Sequence, residues 1–231
     1  LDLADLVAKL VELPGLTRLR ISSLDPHEIN DKLLRIMENS PVLCPHLHIP
    51  LQSGDDQVLK RMNRVYDTAR YRELVREIRR RIPGIAITTD IMVGFPGETE
   101  EEFLHTYNFL EEMAFAGLHV FKYSPRKGTP AASFPGQVPP EIKEERSNKL
   151  ISLGRRLLKN YAEDYLGKTL EVLAEQRVDI PGQSYWEGHS DNYLNIVFLS
   201  DLELKGRLVD VRLDRFQDGR LFGTLVRVHN C

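Results

Sequence analysis

Apolar positions along the first half of the chain repeat alternately at helical and at strand spacing. Leu3, Leu6, Val7 and Leu10 form one helical stripe, closed by Pro14-Gly15. RLRISS over 18–23 reads as a strand. It runs into Asp25-Pro26, where Asp25 caps a helix, Pro26 suits its first position and Glu28 completes a capping box. Ile29, Leu33, Ile36 and Met37 give that helix its buried side. HLHIPLQ is a second strand, followed by a short helix from Asp55 to Met62 and a longer one from Asp67. Tyr71, Leu74, Val75, Ile78 and Ile82 line the inner face of the longer helix. AITTDIMVGF over 86–95 is apolar almost throughout, as expected of a parallel strand covered on both faces. Thr99 and Glu102 form another capping box, Phe103, Tyr107, Leu110 and Met113 face inward, and Gly117 marks the end of the helix. LHVFKYS is the fourth strand.

Strict alternation of strand and helix implies right-handed crossovers and a parallel sheet. Four such strands make about half of a complete eight-fold barrel and leave parallel edges unpaired. The first residue, Leu1, already lies inside a helical pattern. The expectation is therefore a piece of a longer protein. Residues 124–140 are rich in Pro, Gly, Ser and Lys and read as a loop. A linking helix over 141–166 is amphipathic through Ile142, Leu150, Leu153, Leu157 and Tyr161. After Gly167 the runs TLEVLAEQ, YLNIVFL, GRLVDVRLDRF and RLFGTLVRV are short and β-like, with an Asp218-Gly219 hairpin turn before the last. A small all-β barrel accommodates them. The expected fold is thus an α/β partial barrel over 1–140, a linking helix over 141–166 and a β-barrel over 167–231.

Composition narrows the function classes. With 42% hydrophobic and 28% charged residues the chain reads as globular rather than disordered. No apolar run reaches the length of a membrane span, and the start has no signal-peptide pattern. A net charge of −3 gives no bulk attraction to nucleic acid, so any such binding must be local. Arg76 and Arg79 to Arg81 read as a solvated helix face. Cys44 and Cys231 are the only cysteines, too few for a disulfide framework, which fits a reducing, cytoplasmic compartment. Cys44, His46 and His48 alternate along one strand and so share one side of it, in a ligand-like pattern.

HLHIPLQSGDDQVLKRMNR, ITTDIMVGFPGETEEEF and HVFKYSPRKGTPAA resemble, in order and spacing, the radical S-adenosylmethionine methylthiotransferases. RISSLDP and GQVPPEIKEER fit the same family, and YWEGHSDNYLNIVF and GRLVDVRL are similar to its terminal RNA-binding TRAM barrel. SSLDP, LCPHLHIPLQSG and TTDIMVGFPGET look most like the branch that acts on threonylcarbamoyladenosine next to the tRNA anticodon. The resemblance implies a partial radical SAM barrel between an N-terminal cluster domain and TRAM. It also implies S-adenosylmethionine, two 4Fe–4S clusters, an electron donor, and the tRNA anticodon stem-loop as substrate. A Cys-x-x-x-Cys-x-x-Cys loop holds the barrel cluster in that family. No such loop occurs here, so the chain corresponds to the last four barrel strands plus TRAM, and by itself is expected to be inactive and to hold no cluster.

By the same resemblance, ligands meet the carboxyl ends of the strands. These are Ser22-Ser23, Gln52-Ser53-Gly54, Val93-Gly94-Phe95 and Tyr123-Ser124. Gln52 and Ser53 offer polar partners to the cofactor, Gly94 allows close backbone approach, and Phe95 can cover a flat ring. Plain turn chemistry explains Gly94 to Gly97 equally well. Asp90 needs partners, either the cofactor or a polar barrel network. Asn192 and Tyr193 match the TRAM pattern for RNA, although Tyr193 and Trp186 also suit a barrel core. Arg155, Arg156 and Lys159 form a local basic patch or a solvated helix face. Cys44 lies at the amino end of its strand, away from the chemistry, so His46 and His48 are expected to hydrogen-bond in the barrel floor with no metal. Two other classes stay open: a module that only binds RNA, and an unrelated partial-barrel enzyme. Within the family, a branch acting on isopentenyladenosine tRNA or on a ribosomal protein is the alternative.

Overall fold

The computed structural model describes residues 2–229; Leu1, Asn230 and Cys231 lie outside them. Helix α1 (Leu3–Leu10) starts in a capping box between Asp2 and Asp5 and buries Ala4 and Val7, while Leu6 is exposed. Three parallel strands follow, β1 (His46–His48), β2 (Ala86–Val93) and β3 (Gly117–Lys122), in the order β1-β2-β3. RLRISS runs beside β1 as a fourth line. Its pairing is reduced to two isolated parallel bridges, Leu19 with Leu43 and Ser23 with His48. The predicted helix after Asp25 is a single 3-10 turn (Pro26–Glu28) with its capping box formed, and α2 (Asp31–Asn39) begins anew on Asn30. Extended backbone at Ile29 separates the two.

Regular pairing of β1 stops early because Pro50 has no N–H to give. Hydroxyls take over where the ladder fails: Tyr71 donates to Ile49 O at 2.7 Å and Tyr66 to Pro50 O at 3.0 Å. Thr89 Oγ1 accepts from Leu51 N at 2.9 Å and donates to Ile49 O at 2.7 Å. The polar groups of this interrupted backbone are thereby satisfied inside the core.

Helices α3 (Asp56–Arg61), α4 (Thr68–Arg81) and α5 (Glu100–Met113) complete the layer on one face of the sheet. Leu47, Ile49, Leu51, Ile87 and Ile91 share a buried core with Leu33, Tyr71, Ile78, Phe103 and Leu110. Helix α5 ends not at Gly117 but at Ala114, which takes a left-handed conformation with φ of 47°. Gly117 instead opens β3, where a Cβ would lie 3.2 Å from Thr88 Cγ2. The opposite face of the sheet carries His48, Thr88, Asp90, His119 and Phe121. It is open at β3, where Phe121 is 52% exposed.

Helix α6 (Pro140–Glu163) packs against β3 and leads to five strands. These are β4 (Thr169–Ile180), β5 (Gln183–Ser190), β6 (Asn195–Phe198), β7 (Leu208–Gln217) and β8 (Arg220–Val228). They close into a barrel in the order β4-β5-β6-β8-β7 around Trp186, Ile196, Phe198, Val209, Val211 and Leu221. Strand β5 has no apolar pattern to announce it. Its Gly188 is required because a Cβ there would overlap Leu173 O, where β4 passes close and bulges between Ala174 and Gln176. No helix among the described residues is long and apolar enough to cross a membrane.

Candidate functional site

At the carboxyl end of the sheet the chain turns sharply twice. Gln52 adopts φ of 70° and still pairs with β2, through Gln52 N to Asp90 O at 2.8 Å and Met92 N to Gln52 O at 2.9 Å. Its side-chain amide has no partner among the described residues. Ser53 and Gly54 face the helix layer. The Ser53 hydroxyl meets Thr106 Oγ1 at 3.2 Å, and a Cβ at Gly54 would lie 2.8 Å from Phe109 Cβ. Asp55 caps α3 by accepting from Gln57 N and Val58 N, and its other oxygen meets His105 Nδ1 at 2.9 Å.

The second turn follows β2. Gly94 (φ of 73°) and Phe95 both donate backbone N–H to Glu98 Oε2, at 2.5 and 3.2 Å. Glu98 is buried and ion-pairs with Arg146 of α6 at 3.3 Å, and the Arg146 guanidinium also donates to Glu98 O at 3.1 Å. Burial pushes the Glu98 carboxyl above its ordinary range, with Arg146 acting in the opposite direction. Phe95 stands edge-on to Tyr123, with ring centroids 5.3 Å apart, and to Phe134 at 6.3 Å. Lys143 donates to Tyr123 O at 3.0 Å. The Tyr123 hydroxyl is buried with no hydrogen-bond partner. Val93 contributes only backbone here, accepting from Tyr123 N at 2.9 Å, since its side chain lies in the core. Ser22 and Ser23 are exposed at the edge line.

On the open face of the sheet, Thr88 Oγ1 lies 3.2 Å from His46 Nε2 and 2.9 Å from His48 Nδ1. Burial holds the His46 imidazole far below its usual range, at about 3. Asp90 lies within ion-pair distance of His48 and of His119. Cys44 is buried and its thiol is pushed up, so it is no ready thiolate.

Residues 1–110 match the Radical SAM superfamily. The threonylcarbamoyladenosine tRNA methylthiotransferase MtaB of Bacillus subtilis is 40% identical over 214 residues, which cover 92% of this chain and 48% of that protein. The tRNA-2-methylthio-N(6)-dimethylallyladenosine synthase of Acetivibrio thermocellus is also 40% identical, over 97% of this chain and 46% of that protein. The chain is thus similar to tRNA methylthiotransferases over nearly its whole length, and to the radical SAM model over its first 110 residues. It spans about half the length of these curated relatives. The coproporphyrinogen III oxidase of Escherichia coli, a radical SAM enzyme, shares the fold at a TM-score of 0.54 and 19% identity, over 67% of this chain and 37% of that one.

The radical SAM resemblance calls for S-adenosylmethionine and iron–sulfur clusters, and the two groups fare differently here. At the carboxyl end, the unpartnered Gln52 amide and the buried Tyr123 hydroxyl suit a polar ligand with an aromatic base, beside the apolar rings of Phe95 and Phe134. A cluster needs several thiolates, and among the described residues Cys44 stands alone, buried at the amino end of β1. The described residues do not fit a cluster.

The small barrel meets the other end of the sheet. Arg18 donates to Glu171 and to His189 O, and Arg20 to Ser190 O at 3.0 Å. Tyr161 and Tyr165 both donate to Gly84 O at 2.9 Å. Asn192, expected to face RNA, is 3% exposed. It donates to Tyr161 OH at 3.0 Å and accepts from Ser190 Oγ at 2.5 Å, so its amide ties the barrel to α6. Tyr193 takes φ of 68°. Its ring lies between His46 and His189, with centroids 4.6 and 4.8 Å away and the Arg20 guanidinium 4.7 Å from the ring, yet it is 46% exposed. Arg156 pairs with Glu111 and Lys159 with Glu163, which leaves Arg155 as the member of that patch without a carboxylate. Trp186 is in the barrel core.

Proposed function

We propose that the chain forms the carboxyl-end cofactor floor and the RNA-docking barrel of an enzyme that methylthiolates carbon 2 of threonylcarbamoyladenosine in tRNA. The observation that carries this is the end of the sheet. A backbone turn that only Gly94 permits lies beside an apolar wall, with two polar groups lacking protein partners, the Gln52 amide and the Tyr123 hydroxyl.

In this proposal Gln52 and Tyr123 hydrogen-bond S-adenosylmethionine, while Phe95 and Phe134 exclude water from its base. Glu98 and Arg146 hold the Gly94-Phe95 turn rigid, so the binding groups do not have to be ordered when the ligand arrives. S-adenosylmethionine, once bound, supplies the radical and methyl chemistry of the family. Cluster ligation falls to residues other than those described here. The five-stranded barrel is assigned as a TRAM domain, with the exposed edge of Tyr193 and the unpaired Arg155 offered to the anticodon stem-loop. The runs SSLDP, LCPHLHIPLQSG and TTDIMVGFPGET favour threonylcarbamoyladenosine over dimethylallyladenosine, although relatives acting on either nucleoside are equally similar.

Inactivating the gene and analysing tRNA nucleosides by mass spectrometry tests the proposal. The expected result is loss of 2-methylthio-threonylcarbamoyladenosine, with the unmodified threonylcarbamoyladenosine accumulating. Loss of the dimethylallyl derivative instead would move the assignment to that branch. No change in any 2-methylthio nucleoside would refute it.

A further inference from the structure

The open face of the sheet gathers three ligand-type side chains, one from each parallel strand. The register of the sheet sets their spacing: Asp90 pairs with His119, and His48 pairs with Thr88, two residues before Asp90 on the same face. His48 Nε2 and His119 Nδ1 stand 3.2 and 3.3 Å from the same atom, Asp90 Oδ1. One ligand atom from each of the three falls within 4.8 Å of the others. Ligands held tetrahedrally about 2.0–2.1 Å from a zinc ion lie about 3.3 Å from one another.

A hydrogen-bonded ion cluster is the ordinary alternative, and the geometry disfavours it. Neither imidazole reaches Asp90 in hydrogen-bond geometry, and among the described residues no other donor serves that carboxylate. Three ligand-type atoms gathered within 4.8 Å of one another suit a shared cation. Binding metal through Nε2 requires His48 to carry its proton on Nδ1. Thr88 Oγ1, 2.9 Å away, is placed to accept it. The His119 side chain is 59% exposed, so the cluster has a path from solvent.

We propose that His48, Asp90 and His119 bind a divalent first-row transition ion, with zinc the best match. Two neutral imidazoles and one carboxylate form a three-ligand site that leaves a coordination position open to water or to an oxygen of a bound ligand. This site is independent of the functional assignment above, since it requires neither S-adenosylmethionine nor RNA.

Zinc titration of the chain by calorimetry tests the proposal, with cobalt(II) absorption as a second readout. One equivalent of zinc is expected to bind. Affinity should fall by about tenfold or more in both Asp90→Asn and His119→Asn, and stay unchanged in the control His105→Asn. The cobalt complex should show visible d–d bands and no thiolate charge-transfer band, which separates this site from either cysteine. His119 is exposed, so its variant carries the test even if Asp90→Asn fails to fold. Absence of zinc binding, binding that survives His119→Asn, or a thiolate band would overturn the proposal.

Discussion

The aliphatic stem of Lys143 occupies the space that a side chain at Gly94 would need. A Cβ on Gly94 would overlap Lys143 Cγ and lie 3.0 Å from both Cδ and Cε. The same lysine sends its ammonium to Tyr123 O. One residue of α6 thus fixes the turn after β2 and the end of β3 together.

Gly94→Ala should therefore be costly. The left-handed backbone and the overlap together are expected to remove about 2–4 kcal/mol. Urea denaturation measures the loss, and Gly94→Ala with Lys143→Ala should lose less than the sum of the two single changes. Strict additivity would mean that the lysine stem is not what excludes a side chain at 94.

Arg146 and Glu98 are each about 5% exposed, and Arg146 pairs with Glu100 as well, so it is loss of the arginine that leaves the Glu98 carboxyl buried without its cation. Arg146→Met is expected to cost about 3–5 kcal/mol, and Arg146→Met with Glu98→Gln distinctly less. A double-mutant cycle in urea reads the difference. Equal losses for the single and the double change would count against a buried pair.

Tyr123→Phe separates stability from function. The hydroxyl is buried without a partner, so its removal should stabilise the fold by about 1 kcal/mol. Thermal denaturation checks the sign. A clear loss of stability would mean that the hydroxyl already has a partner within the fold.

His105 sits beside Asp55, whose carboxylate raises the imidazole above its usual 6.5. A raised value in the folded state stabilises the protein below the unfolded value and stops doing so as pH climbs through the raised one. Stability should thus fall slightly from pH 6 to 8, and His105→Gln should flatten that slope. The side chain is exposed, so the effect is small. An identical slope in the variant would place the dependence elsewhere.

Much of the fold was legible because periodicity and capping are local. The Asp25–Glu28 and Thr99–Glu102 boxes, the apolar run of β2 and the Asp218-Gly219 hairpin all appear where the residues require them. Helix α6 shows where such reasoning fails. Its buried stripe begins with Lys143 and Arg146, whereas Ile142 is exposed, because their partners, the Tyr123 carbonyl for Lys143 and the Glu98 carboxyl for Arg146, lie far away in sequence. Strand β5 was missed for a related reason: close backbone approach at Gly188 leaves no hydrophobic signal.

The candidate site divides in the same way. Gln52, Gly94, Phe95 and Tyr123 fall at the carboxyl end, as expected from strand direction alone. Ser53 and Gly54 are drawn into the helix layer by Thr106 and Phe109, and Asn192 into the domain joint by Tyr161. Asp90 was expected to need partners, but His119 as one of them depends on the β2–β3 register, which no single segment reveals.

The most direct test of the carboxyl-end assignment is made in cells. The chromosomal gene would carry Gln52→Leu or Tyr123→Phe, with protein abundance measured alongside tRNA nucleosides by mass spectrometry. The account predicts a clear drop in 2-methylthio-threonylcarbamoyladenosine at undiminished protein level in both variants. Full modification in both would contradict it.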